Sequence, residues 1–213
     1  YDRPLAMDQH ADNFAWFRRM LAQRELRASP QLEQEAQAII ACLQKPDGPR
    51  VYTRGDVCPS NVAYRDRRMR FYDFEMGAFR NAFLSAAYFR ISHLSCFNGS
   101  LIPLELQAEA EEIYLQALAP IAPDAAAHQM EYAAAATAML IWMLSAGLDK
   151  KDRPRHLATR RQRLFTALSL YVGNAVFAAP FPYTAEALSR LHRKLDVQWT
   201  KEEKTILPFP AFR

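Results

Sequence analysis

Between Val51 and Glu75 the chain reads VYTRGDVCPSNVAYRDRRMRFYDFE, and three of its side chains are spaced for joint chemistry: Asp56, Asn61 five residues on, and Asp73 twelve beyond that. Two carboxylates and an amide carbonyl are hard oxygen donors, the kind that suits magnesium. Phosphoryl transfer from a nucleoside triphosphate asks for such groups. It leaves the protein little covalent work and depends on positioning and on neutralisation of phosphate charge by metal ions. A carboxylate and an amide oxygen brought together by a hairpin can hold those ions, and a second carboxylate must then face the acceptor hydroxyl. Asp and Asn also suit plain turns, because their side chains hydrogen-bond nearby backbone. The coincidence of this spacing with a hairpin favours the chemical reading.

The elements that must position these residues can be read from pattern. Val51-Tyr52-Thr53, Asn61 to Tyr64 and Met69 to Phe74 are short β-like pieces, with charged turn residues Arg65 to Arg68 between the last two. They predict a small hairpin after a loop, with Asp73 at the end of its second strand. Ahead of it, Phe14, Phe17, Met20 and Leu21 share one helical face. A second helix is expected from Ser29 as N-cap with Pro30 at the first helical position, its stripe being Leu32, Ala36, Ile39, Ile40 and Leu43. Lys45 to Pro49 ends it.

Beyond about Asn81 the signals are helical again. Leu106, Ala110, Ile113, Tyr114 and Leu118 form one predicted face, and Leu164, Leu168, Tyr171 and Val172 another. A last helix is expected from Thr184, presenting Leu188, Leu191 and Leu195, with turns at Asn98-Gly99, Pro120, Pro123, Asp152 to Pro154, Pro180 and Pro182. Tyr132 to Leu148 is the most apolar run, but it is short for a bilayer span and holds Thr137, Ser145 and Gly147. It predicts a buried core helix. The expected fold is mainly α with a small β-hairpin, as a single domain over residues 1–213, a length that can bury one sizeable core.

Composition narrows the function classes. Lys and Arg outnumber Asp and Glu by 27 to 23, a modest and dispersed surplus that does not call for nucleic acid. The basic stretch Lys150 to Arg163 lacks interleaved aromatics and reads as a solvated loop running into a helix. The three cysteines, Cys42, Cys58 and Cys96, are odd in number and widely spaced, so free thiols in a reducing, cytoplasmic setting are expected. Cys58 would be redox-sensitive if Arg54 stabilised its thiolate. No residue pattern at Tyr1 resembles a secretory leader. His10, His93, His128, His156 and His192 are scattered without metal-ligand spacing. Tyr114, Tyr132 and Trp142 suit helix core more than an aromatic cage for a quaternary ammonium, and Glu105, Glu109, Glu111 and Glu112 form an acidic helical surface that would attract a polycationic molecule, though a solvated helix face explains them about as well.

The loop and hairpin together resemble the aminoglycoside and choline phosphotransferase family, a branch of the protein-kinase-like fold whose catalytic loop reads like HGDxxxxN and whose metal-binding strand ends in DFE or DFG. The resemblance runs from about Val51 to Ala87. It implies that the chain is the helical C-lobe of that fold and that Asp56 orients or deprotonates an acceptor hydroxyl. Asn61 and Asp73 become the cofactor-binding and metal-binding residues for magnesium and ATP or GTP. Glu75 fills the DFE position and Pro59 matches a common proline. Two positions differ: Arg54 replaces the family's histidine, and Ser85 stands where an aspartate buried at a helix start would accept hydrogen bonds from the catalytic loop.

No glycine-rich phosphate loop or strand lysine precedes the first helix, and Tyr1 to Asp56 is too short for an N-terminal β-lobe, so a lobe removed or lost in evolution is expected. The implied partners are a nucleoside triphosphate and a small hydroxyl-bearing molecule, with no nucleic acid and no membrane. The alternative, motivated by Arg54 and Ser85, is a pseudokinase-like binding or scaffold protein. Acceptor identity and oligomeric state are not legible.

Overall fold

A computed structural model describes residues 9–55, 58–96, 98–123, 128–151 and 158–208. Asp56 lies outside them, as do Val57, Pro154 and His156. Among the described residues the chain is mainly helical, with two small antiparallel sheets of two strands each.

Two helices open the fold, α1 (His10–Gln23) and α2 (Gln31–Gln44). Phe14, Phe17, Met20 and Leu21 of α1 are buried, as are Leu32, Ala36, Ile39 and Leu43 of α2, so both predicted stripes face the core. Helix α2 begins one residue later than expected. Pro30 flanks it, and the Ser29 hydroxyl accepts from the Gln31 N–H at 3.3 Å.

Strands β1 (Arg50–Thr53), β2 (Val62–Arg65), β3 (Arg68–Phe71) and β4 (Ala78–Asn81) follow. β2 and β3 form the expected hairpin, closed by Asp66 and Arg67, both at positive φ (54° and 58°) as a two-residue turn between right-twisting strands requires. The second sheet was not foreseen. β4 pairs with β1, Arg50 opposite Asn81, across an insertion that contains the whole hairpin. Four residues running directly into a helix leave too short an alternation to read as a strand.

Asn81 ends β4 and caps α3 (Ala82–Arg90), its side chain accepting from the Phe83 N–H at 3.0 Å. A short 3-10 turn, Ser92–Ser95, leads on to α4 (Leu104–Leu118) and α5 (Gln129–Gly147). Helix α5 is the axis of the molecule, touching α1, α2, α3 and two later helices, α6 (Arg160–Val172) and α7 (Ala175–Ala178). Its Ala133, Ala134, Ala135, Ala136 and Ala138 are buried, and so small a side chain lets neighbours approach on every side. No helix among the described residues is long and apolar enough to cross a membrane.

The predicted face of α4 needs correction. Leu106 and Ile113 are exposed, and the residues turned inward are Gln107, Tyr114, Leu115 and Leu118. Glu111 is also no solvated carboxylate: it accepts from Arg90 Nε at 2.6 Å and from the Tyr132 hydroxyl, tying α3, α4 and α5 together. Burial and that carboxylate raise the Tyr132 phenol above its ordinary range. The chain closes with α8 (Pro182–Gln198), two residues ahead of the Thr184 start, and the single turn α9 (Lys201–Lys204).

Candidate functional site

Strand β1 ends at Thr53, and the next two residues shape the loop that leads to Asp56. Gly55 has φ +82°, and a Cβ there would lie 2.5 Å from the Met76 carbonyl oxygen, so both the left-handed backbone and the close approach call for glycine. Arg54 is only 8% exposed. Its Nη1 donates to the Asn61 carbonyl at 2.8 Å, and its guanidinium lies 4.3 Å from the centroid of the Phe71 ring. Arg54 is therefore tied both to the residue that precedes β2 and to Phe71 of β3.

The far side of the loop is a 3-10 turn, Pro59–Asn61, in which the Asn61 N–H donates to the Cys58 carbonyl at 2.8 Å. The ladder of the hairpin then extends one step past β2 and β3, through the Tyr72 N–H to the Asn61 carbonyl at 3.2 Å. Asn61 thus stands across from Tyr72, one residue from Asp73, at the open end of the hairpin. Asn61 is buried, and Asp73 is exposed. Asp73 follows the strand end at Phe71 by two residues and takes φ +64°, a left-handed conformation uncommon outside glycine. Glu75 is exposed in the turn that follows.

An amide oxygen and a carboxylate at one hairpin end fit magnesium in the manner that ion favours, with one or two protein ligands and the rest of the octahedron from phosphate and water. Among the described residues no group of three or more His, Cys, Asp or Glu side chains could hold a metal by itself.

Beside the loop lies a cavity of about 360 Å³. Gly55 and Cys58, the described residues on either side of Asp56 and Val57, both line it. Its apolar floor comes from α5 through Met139, Trp142 and Met143, and α3 adds Leu84, Ser85 and Tyr88. Arg80 of β4 and Arg160 and Arg163 of α6 complete it. Arg163 departs from the solvated basic stretch expected of it: it is buried, donating to the carbonyls of Cys96 and, at 3.3 Å, Ser95.

Arg160 and Arg163 belong to the basic stretch that the sequence suggests is solvated, and Arg80 lies in the strand that was not foreseen, so only the fold brings the three together. Ser85 bonds with the Tyr114 hydroxyl, which donates to the Ala82 carbonyl at 2.9 Å. Tyr114, Tyr132 and Trp142 sit apart in function: Tyr132 packs on Phe177 with ring centroids 5.1 Å apart, while Trp142 lines the cavity.

The expectation of three free thiols is overturned for two of them. Cys58 and Cys96 form a disulfide with a Cα separation of 5.3 Å, within the span such a bridge needs. Cys42 is the free cysteine, and burial together with Glu131 pushes its thiol up to about 11. Three cysteines offer three pairings, and spacing alone did not favour this one. The bridge joins the loop after Asp56 to the 3-10 turn after α3, and it removes the cysteine argument for a reducing compartment.

Compared with known families and curated proteins, the chain matches no family model and no curated protein.

Proposed function

We propose that the chain is the helical part of an ATP- and magnesium-dependent phosphotransferase that moves the γ-phosphate to a hydroxyl of a small molecule. The observation that carries the reading is the hairpin end where Asn61 faces Tyr72 next to Asp73, held by Arg54 against the loop whose Gly55 and Cys58 open on the cavity. Asp56 belongs to that loop and takes the role of orienting the acceptor hydroxyl. Asn61 and Asp73 would hold magnesium, which when bound neutralises phosphate charge. Arg54 keeps the Asn61 backbone in place, and the cavity beside the loop has the size of a small-molecule site.

The test is a melting-temperature shift of the natural protein on adding ATP, with and without magnesium. A ligand at about a hundredfold excess over Kd stabilises the native state by nearly 3 kcal/mol. The expected result is a magnesium-dependent rise that Asp73→Ala abolishes, with Asp56→Ala retaining the rise but losing turnover. A second reading, a pseudokinase-like binding protein, is favoured by Ser85, whose partner is Tyr114 of a neighbouring helix. Absence of any nucleotide-dependent rise in the folded protein would select it.

A further inference from the structure

The β2–β3 hairpin stands clear of the body, for every residue from Ala63 to Glu75 is exposed. Strand register sorts its side chains. Tyr64 lies opposite Met69 on one face, and Arg65 lies opposite Arg68 on the other, where Arg70 pairs with Ala63. Arg67 completes the tip in the two-residue turn. Residues 62–71 thus hold four arginines against one acid, Asp66. Asp66 pairs loosely with Arg65 at 3.6 Å, the two side chains being 83% and 86% exposed. Arg67, Arg68 and Arg70 have no ion-pair partner among the described residues.

This arrangement is costly in water. Like charges directly opposite one another in a ladder repel, as Arg65 and Arg68 do, and a two-stranded hairpin with both faces bare is marginal on its own. Tyr64 is 71% exposed, the most exposed aromatic side chain among the described residues, and Met69 is 59% exposed. Charge serves to keep open strand edges from pairing with other chains. That duty leaves Tyr64 and Met69 unexplained.

We propose that the hairpin tip is a docking surface for an anionic lipid bilayer. Guanidinium groups bind lipid phosphates, tyrosine settles at headgroup level with its ring in apolar surroundings and its hydroxyl in water, and methionine fills irregular apolar space. A tip entering end-on brings both faces to the same depth, since the Tyr64–Met69 pair is one residue step, roughly 3.3 Å, from the Arg65–Arg68 pair. A single-stranded nucleic acid fits less well, because it needs stacking and phosphate neutralisation along one groove, whereas Tyr64 stands on the face opposite Arg65, Arg68 and Arg70. No helix among the described residues could cross a bilayer, and the contact is with its surface only. The proposal does not rest on the phosphotransferase reading. The Val62–Phe71 pair next to Asn61 lies three residue steps, roughly 10 Å, from the Arg65–Arg68 pair, so docking leaves the Asn61 and Asp73 end open.

The experiment is co-sedimentation of the full chain with vesicles of phosphatidylcholine, alone or with an equal part of phosphatidylglycerol. At low salt the chain should bind the anionic vesicles about tenfold or more tighter than the neutral ones, and added salt should shrink the difference. An arginine near such a surface is worth roughly fivefold in affinity, so Arg67→Gln combined with Arg68→Gln should weaken binding about 20-fold. Tyr64→Ser combined with Met69→Ser should weaken it about fivefold or more. All four positions are exposed, so both double variants should melt close to the parent, which is measured alongside. In a Tyr64→Trp variant the added indole emission should shift to the blue on anionic vesicles. Equal binding to both vesicles, binding to neither, binding untouched by either double change, no blue shift from Tyr64→Trp, or tighter binding to a single-stranded oligonucleotide at the same phosphate concentration overturns the proposal. The ATP melting shift is read separately. Its loss leaves the docking surface standing, and loss of vesicle binding leaves the nucleotide reading standing.

Discussion

His93 shows how one buried side chain ties the candidate site to pH. It is almost wholly buried in the 3-10 turn whose Leu94 and Ser95 line the cavity, and its Nδ1 lies 3.3 Å from the Tyr88 carbonyl. Burial pulls its ring down from the ordinary 6.5 to about 4. The native state therefore keeps the ring neutral where the unfolded chain protonates it. As pH falls from 6.5 the unfolded state takes up a proton that the native state refuses, so stability is lost until about 4, where both states are charged. The loss from this group reaches about 3 kcal/mol at most. Urea unfolding across that window should show a steeper decline for the natural chain than for His93→Gln, and identical slopes would remove His93 as the cause. Asp56, Asn61 and Asp73 are candidates on residue type and spacing, and of the three only Asn61 and Asp73 lie among the described residues. His93 is no candidate on those grounds, since a lone histidine says nothing about its burial.

At the scale of elements, one helix depends on another for its first turn. The N-cap position of α8 is Phe181, which offers no side-chain acceptor. Glu35 of α2 fills the role from across the fold: one carboxylate oxygen accepts from the Tyr183 N–H at 3.1 Å, and the other from the Thr184 N–H at 2.6 Å and its hydroxyl at 2.7 Å. A carboxylate satisfies donors that a helix start leaves open and complements its dipole. Glu35→Gln should cost about 1 kcal/mol through loss of charge. Glu35→Ala, which leaves partly buried donors without acceptors, should cost about 2 to 3 kcal/mol. Chemical denaturation measures both, and two variants as stable as the parent would show the contact to be incidental. Stripes such as Leu188, Leu191 and Leu195 made α8 readable because a long amphipathic helix carries its own period. The cap was not readable, being a partnership between residues 35 and 184. The same reason hid β4, whose partner lies on the far side of the hairpin, and the packed face of α4, which is decided by Arg90 and Tyr132 of other helices.

For the whole molecule, the Cys58–Cys96 bridge encloses the hairpin, β4 and α3, so one covalent ring of 38-residue separation contains both Asn61 and Asp73. A constraint of that length acts chiefly on the unfolded chain, and the loop-entropy relation assigns it about 4 kcal/mol before any native strain is subtracted. Cys42 stays outside the ring, half-buried, with its thiol pushed up to about 11, so at mildly alkaline pH it is overwhelmingly protonated and a slow nucleophile. In denaturant that protection is gone, and because two of the three cysteines are bridged, iodoacetamide should add a single group to the unreduced chain and three after reduction, read by intact mass. Reduction should lower the unfolding free energy by about 2 to 4 kcal/mol. The double variant Cys58→Ser, Cys96→Ser should show the same lower stability and no further response to reductant. Three modified thiols without reductant would mean that the bridge is not formed in the protein. The loop before Asn61 would then keep its noncovalent ties, among them those to Arg54 and Tyr72, and the ATP melting shift should be indifferent to reductant. If the bridge forms, opening it frees the cavity wall at Cys58 and Cys96 together, and any nucleotide response should weaken in parallel with the loss of stability.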